Sequence, residues 1–127
     1  MAITYICVII AIFLPLVWIA CAKATMRYDN HAPRAQQAQL TGWRARANWA
    51  QQNAHEALPP FIAGVVIATQ AGVPHEAINQ LSLVFIICRI LHGICYLKDW
   101  AWQRSLAWLV AVACVVGLLG MAIRQAA

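Results

Sequence analysis

The sequence predicts an all-α integral membrane protein in which one domain, residues 1–127, forms a bundle of four transmembrane helices. Of the 127 residues, 63% are hydrophobic and only 10% are charged, whereas soluble domains average roughly 45–50% apolar and about 25% charged residues. The apolar residues also form long runs, and a helix needs about 20 of them to cross a bilayer. We therefore expect four spans and little mass outside the membrane.

The four helices are expected at about residues 2–24, 43–71, 77–97 and 104–124. The first run has no basic segment ahead of it, so we interpret it as a retained span rather than a cleaved signal peptide. The second begins in polar sequence and becomes apolar from Ala57, and the fourth is uncharged from Ser105 to Ile123. A polar loop containing Pro33 and Gly42 separates the first two helices, and short turns separate the others.

Basic residues predict the orientation of the bundle. The net charge of +5 is, in a membrane protein, a topology signal rather than evidence for nucleic-acid binding. Seven of the nine Lys and Arg residues flank the first and third loops: Lys23, Arg27, Arg34, Arg44, Arg46, Lys98 and Arg104. Because loops rich in basic residues stay on the cytoplasmic side, we expect these two loops in the cytoplasm and both termini outside.

Aromatic and sulfur-containing residues fit the same prediction. The six tryptophans, which would form an interfacial belt, lie at or near the ends that carry the basic residues: Trp18, Trp43, Trp49, Trp100, Trp102 and Trp108. The five cysteines lie in apolar segments without CxxC pairing, which is typical of small packing residues. The histidines do not cluster, so no metal site is expected.

Glu56, Arg89 and His92 fall inside expected spans. A charged group at the bilayer centre costs about 2.5–3.5 kcal/mol on insertion scales, so these side chains need partners or a wet cavity. Helical spacing gives two polar stripes in the basic half of the bundle, which are Arg46, Asn53, Glu56 and Pro60 on the second helix, and Arg89, His92 and Tyr96 on the third.

Two interpretations of these stripes remain open. In one, Glu56 and Arg89 form a structural ion pair that holds helices together, with Asn53 and His92 hydrogen-bonded around it. In the other, donors from three helices form a binding site for a polar, anionic molecule that opens to the cytoplasm. Pro59 and Pro60 suit either interpretation. They free backbone carbonyls, which must then lie within protein or in a wet cavity. Alternatively, they only kink the helix.

Three segments resemble the MAPEG family, the membrane-associated proteins in eicosanoid and glutathione metabolism. "RARANWAQQNAHEALPPF" resembles its second-helix motif, an arginine-rich entry followed by N-x-x-E, proline and an aromatic residue. "RILHGICY" and "RSLAW" resemble its third-helix and fourth-helix motifs. The length and the four-span plan also match, so the resemblance covers essentially the whole chain. The chain resembles the microsomal glutathione transferases and leukotriene C4 synthases of this family, and we expect a bacterial member located in the inner membrane.

The resemblance implies a homotrimer that holds glutathione, as co-substrate, between adjacent subunits near the cytoplasmic face. By position in the motifs, Asn53 and Glu56 would contact its peptide backbone and amino end. His92 and Tyr96 would take the contact positions of the third helix.

The same resemblance assigns the reacting end of the site. Arg104 would stabilise the glutathione thiolate, since an adjacent guanidinium favours the ionised thiol, and Ser105 would lie beside it. Lys23 or Arg27, at the end of the first helix, would meet a glutathione carboxylate. Trp49 and Gln52 stand where family members carry basic residues.

Two functions follow from the resemblance. One is a glutathione-dependent transferase or peroxidase that acts on lipophilic electrophiles arriving from the lipid. The other is a non-catalytic, lipid-binding or accessory subunit of the same fold, which could belong to a larger membrane-protein complex.

Overall fold

The computed structural model describes all of residues 1–127 and is entirely helical, which confirms the all-α prediction. Four long helices form an antiparallel bundle, and a short helix lies in the loop between the first two. The five helices are α1 (Ala2–Lys23), α2 (Pro33–Ala38), α3 (Gly42–Gln70), α4 (His75–Lys98) and α5 (Ala101–Ala126).

The connections between helices are shorter than the sequence suggests. Helix α4 starts directly after Pro74, and only Asp99 and Trp100 separate α4 from α5. Asp99 adopts a left-handed conformation with φ of 60°, which allows the chain to reverse within two residues, as at many helix C-termini. The unexpected helix α2 begins at Pro33, whose fixed φ suits the first turn of a helix.

Helices α1, α4 and α5 are long and apolar enough to cross a membrane. Helix α3 is longer, at 29 residues, but its first half carries Arg44, Arg46 and Glu56. It packs against all three of the other long helices, whereas α1 and α5 do not touch. In its polar half Arg44 and Arg46 are partly buried and Glu56 is exposed, and its apolar half packs through the Phe61 ring, which stacks on Phe85 of α4 at 4.0 Å between centroids.

Two arginines near the start of α3 bind the C-terminal ends of its neighbours. The Arg44 guanidinium donates to the carbonyl oxygens of Ala22, at 3.0 Å, and Ala24, at the end of α1. Arg46 donates to the carbonyl oxygen of Leu97 in the last turn of α4. Because the last carbonyls of a helix lack partners within it and carry partial negative charge, these bonds hold three helices at one end, which we call the basic end of the bundle.

A polar contact ties the opposite end of the bundle. The side-chain oxygen of Asn79 in α4 accepts hydrogen bonds from the backbone N–H of Thr4, at 3.2 Å, and from its hydroxyl, at 2.7 Å. The Thr4 N–H lies in the first turn of α1, where backbone donors have no partner within the helix. Asn79 therefore serves as an N-terminal cap supplied by a neighbouring helix.

Trp18 departs from the predicted interfacial belt. Its side chain is only 7% exposed and its ring lies directly against the backbone of Gly93 in α4. The other five tryptophans are exposed. The reason for the difference is local, since Gly93 has no Cβ and leaves room for an indole between α1 and α4.

We predict that Gly93→Ala destabilises the bundle, because the added Cβ would overlap the Trp18 ring and overpacking typically costs about 1–3 kcal/mol. Thermal unfolding in detergent measures the effect. Gly120→Ala is the matched control, since nothing lies within 4 Å of a Cβ at that position. Equal midpoints for the two variants would contradict the packing described here.

Candidate functional site

A polar cleft opens between α3, α4 and α5 in the basic half of the bundle. Its volume is about 420 Å³, and its lining consists of Asn53, His92, Tyr96, Arg104, Ser105, Trp108 and Leu109. The structure thus brings five of the site residues expected from sequence into one cavity. Three helices contribute to it, because α3, α4 and α5 pack against one another pairwise.

The cleft wall on α4 and α5 is a stack of three side chains. The His92 and Tyr96 rings meet edge to face, with centroids 5.1 Å apart. The Arg104 guanidinium lies over the Tyr96 ring at 4.4 Å, a cation–π arrangement. Ser105 donates its hydroxyl to the carbonyl oxygen of Ala101, at 3.1 Å. Arg104 is therefore held in place by an aromatic face and has no carboxylate partner.

Arg89 binds the α3 side of the site. It is 3% exposed, and its Nη2 donates to the Asn53 side-chain oxygen at 2.7 Å and to the Asn53 backbone oxygen at 3.1 Å. The amide nitrogen of Asn53 in turn donates to the Glu56 carboxylate at 3.3 Å. Asn53 thus connects a buried cation to an exposed anion, with each end of its amide oriented by the charge that it faces.

The direct Glu56–Arg89 ion pair expected from sequence is not the contact that forms in the subunit. Asn53 occupies the position next to the guanidinium, and Glu56 points outward beyond it. The physical reason is the alignment of α3 against α4. Asn53 lies one turn nearer the basic end than Glu56 and offers two oxygen acceptors to Arg89 Nη2. The two charges are coupled through an amide instead of meeting.

Two of the five buried side-chain polar atoms that have no hydrogen-bond partner lie beside this cleft. Arg89 Nε and His92 Nδ1 are fully buried and make no hydrogen bond within the chain. Buried polar groups are nearly always paired, and each unpaired one costs roughly 1–3 kcal/mol. These two atoms belong to the same polar stripe of α4, and the other three belong to Arg46, Asn48 and Ser82.

An apolar groove continues from the polar cleft along α5. Its volume is about 350 Å³ and its apolar lining includes Ala57, Pro60, Phe85, Trp108, Ala111, Val112, Val115 and Val116. Asn53, Glu56 and Arg89 form its polar end. Asn53 and Trp108 line both cavities. A molecule in the groove would therefore meet one in the cleft.

Helix α3 continues through Pro59 and Pro60 without ending. Proline at these positions cannot donate to the carbonyl four residues earlier, which frees the carbonyls of His55 and Glu56. Pro60 lies in the groove wall, directly beyond the polar end of the groove. The two prolines thus mark the change from polar to apolar lining along α3.

Several basic residues predicted for the site lie elsewhere in the subunit. The Lys23 ammonium sits 4.1 Å from the centroid of the Tyr28 ring, and Arg27 is exposed, with its carbonyl bound to the Gln36 amide. Neither lines the cleft. Arg46, which helical spacing aligns with Asn53, instead binds the end of α4.

Most apolar residues of the groove have no role predicted from the sequence. Phe85, Ala111 and Val115 look like ordinary core positions, since apolar periodicity does not distinguish a groove wall from a packed interface. The one usable signal was Trp108, which follows Arg104 by one helical turn and therefore had to lie on the same face of α5.

The whole-chain comparison decides the family. The MAPEG family model matches residues 3–124. The chain belongs to the MAPEG family. A comparison with curated proteins finds no match.

Membership in the MAPEG family makes the chain an integral membrane protein, in agreement with its three apolar helices. It is consistent with glutathione-related transferase or peroxidase activity and equally with an accessory role. The match spans all four long helices of the bundle, so the polar cleft and the apolar groove both lie within the MAPEG region.

We predict that Asn53→Ala lowers stability more than Glu56→Gln does in this MAPEG protein. Hydrogen bonds to charged groups contribute about 1.5–3 kcal/mol, and only Asn53 binds the buried guanidinium. Thermal unfolding in detergent compares the two, with exposed Gln52→Ala as the control. If Glu56→Gln were the more damaging change, the direct ion pair would be the correct description.

Proposed function

We propose that the protein is a membrane-bound, glutathione-dependent transferase or peroxidase that acts on lipophilic electrophiles. One observation carries the proposal. Two guanidinium groups, those of Arg89 and Arg104, border connected cavities without forming an ion pair with any carboxylate. Cations left in this state within a membrane domain favour an anionic ligand, and the adjoining groove suits an apolar one.

The residues of the cleft match the groups of glutathione. A tripeptide with two carboxylates, one ammonium group and several amides needs cations, an anion and hydrogen-bonding groups in one place. Arg104 and His92 line the cleft, and Arg89 and the exposed Glu56 lie at the adjoining polar end of the groove, where the Glu56 carboxylate suits the ammonium group. Asn53 offers its amide to the peptide backbone. The cleft volume, about 420 Å³, lies within the usual range of about 300–1,000 Å³ for small-ligand sites.

Arg104 is the group that we assign to thiol activation. A thiol with a pKa of about 8.5 is mostly protonated at neutral pH, and a neighbouring guanidinium lowers that pKa. The planar, permanently charged guanidinium suits this task, and stacking on Tyr96 fixes its position. The thiol proton leaves to solvent, and Arg104 holds the sulfur anion through its positive charge.

The apolar groove would present the second substrate. When the sulfur attacks an aryl halide, a carbon–sulfur bond forms, the carbon–halogen bond breaks and halide leaves. With a lipid hydroperoxide, attack on the O–O bond and reaction with a second glutathione give an alcohol, water and glutathione disulfide. Trp108 would position either substrate, because its ring is shared by the groove and the cleft.

A homotrimer in a bacterial inner membrane would complete the site. The cleft lies at the surface of the subunit, and Lys23 and Arg27 are at the basic end but outside it. A neighbouring subunit docked over the cleft would bring its own end of α1 there, with cations for a glutathione carboxylate. The basic end would face the cytoplasm, since basic loops stay on that side.

An accessory role is the competing function, and one observation favours it. Trp49 and Gln52 are exposed on α3 just ahead of Asn53, so this side of the cleft carries no cation. In the accessory role, the protein would bind lipid in the apolar groove, and the hydrogen bonds between Asn53 and Arg89 would only hold the bundle together.

We predict that glutathione raises the thermal unfolding midpoint of the protein in detergent. A ligand at 100 times its dissociation constant stabilises the native state by about 2.7 kcal/mol. Asn53→Ala, measured against its own ligand-free midpoint, should lose the shift. An unchanged midpoint of the wild-type protein at millimolar glutathione would favour the accessory role.

We also predict that Arg104→Ala lowers conjugation of an aryl halide on the order of tenfold at pH 7. Without the guanidinium the thiol pKa returns toward about 8.5, so the deficit should shrink above pH 9, where the thiol ionises unaided. Rates across pH 6–10 give the profile, and Arg34→Ala, an exposed cation on α2, is the control. A deficit independent of pH would contradict thiolate stabilisation.

A further inference from the structure

A second cavity lies on a different face of the bundle from the site described above. This outer slot has a volume of about 380 Å³ and is formed by α4 and α5. Its α4 wall carries Cys88, Leu91 and Cys95, which lie roughly 100° around the helix from Arg89, His92 and Tyr96. The slot and the polar cleft share no residue.

The slot is lined by apolar side chains apart from Gln103. Its floor is made of small side chains, with Cys95 and Ala107 buried and Cys88 half-buried. Its rims are the large, exposed side chains of Leu91 and Leu106. Because the side chains at the bottom of the slot are small and the leucines at its edges are large, the slot is a recess in the apolar surface.

One end of the slot is polar and lies at the basic end of the bundle. Trp100 and Gln103 line it there, and Lys98 continues the stripe of Cys88, Leu91 and Cys95 with a spacing of 3-4-3. From Cys88 to Lys98 the stripe runs about 15 Å along the helix axis. Lys98 is exposed and makes no ion pair, so its ammonium group is available where the apolar slot meets the membrane boundary.

The charge at this end favours an anion. Asp99 offsets part of the Lys98 charge, but the first turn of α5 has no side-chain cap, so free backbone N–H groups add partial positive charge. Trp100 and Trp102 are exposed beside it, as aromatic residues are at the level of lipid headgroups. An apolar slot with a cation, N–H donors and tryptophans at one end matches an amphiphile with an anionic head.

We propose that the outer slot is a binding site for one anionic phospholipid of the surrounding bilayer. One acyl chain would lie along the slot floor, and the phosphate would meet Lys98 and the start of α5. The lipid would bridge the outer faces of α4 and α5 and stabilise their packing. This site is independent of glutathione chemistry, since none of its residues borders the polar cleft.

The test is lipid binding to the purified protein in a neutral detergent, measured by native mass spectrometry. Phosphatidylglycerol and phosphatidylcholine with identical acyl chains are the two probes. We expect one phosphatidylglycerol per subunit to bind more tightly than phosphatidylcholine. A basic residue near an anionic headgroup contributes about 1 kcal/mol, so Lys98→Gln should weaken phosphatidylglycerol binding about fivefold, and Asp99→Asn should strengthen it.

Matched controls separate the slot from the rest of the lipid-facing surface. Ala107→Leu fills the floor and should weaken binding of both lipids, whereas Ala113→Leu, on the exposed surface of α5, should not. Arg124→Gln removes an exposed cation at the opposite end of α5 and should bind as wild type does. Equal wild-type affinity for the two lipids, or undiminished phosphatidylglycerol binding by Lys98→Gln, would overturn the proposal, whether or not Ala107→Leu folds.

Discussion

The hydrogen bonds between Arg89 and Asn53 are the constraint on which the rest of the structure depends. A guanidinium that is 3% exposed on a membrane helix needs acceptors, and α3 supplies two from one residue. Because these acceptors are uncharged, the cation is solvated without being neutralised. A direct carboxylate partner would have given a closed structural pair. The amide instead fixes the register of α3 against α4 and leaves positive charge at the bottom of a cavity.

The same two helices, α4 and α5, serve two environments. One face of each borders polar side chains and the cleft, and the other borders the apolar outer slot. Helical periodicity is what allows this, since consecutive residues such as Cys95 and Tyr96 lie about 100° apart around the helix and so face different surroundings. The polar face is stabilised by contacts with α3, and the outer face leaves Leu91 and Leu106 exposed.

Much of the fold could be predicted from the sequence, because long apolar runs and short polar gaps determine the helices almost directly. The stripe of Arg89, His92 and Tyr96 also followed from spacing alone. The spacing of residues along one helix does not predict which side chain on another helix each charged group contacts. Whether Arg89 meets Glu56 or Asn53 depends on a one-turn offset between α3 and α4, and the burial of Trp18 depends on the missing Cβ of Gly93. Both are relations between helices, which a pattern along one helix does not contain.

We propose that the uncompensated charges of Arg104 in the cleft and Arg89 at the polar end of the groove select an anionic tripeptide. Isothermal titration calorimetry of the detergent-solubilised protein with glutathione, and with its diethyl ester, tests this most directly. The ester keeps the thiol, the amine and the peptide bonds but removes both negative charges. We expect glutathione to bind and the diester to bind at least tenfold more weakly. Equal affinity for the two would show that the charges of Arg89 and Arg104 do not select the ligand.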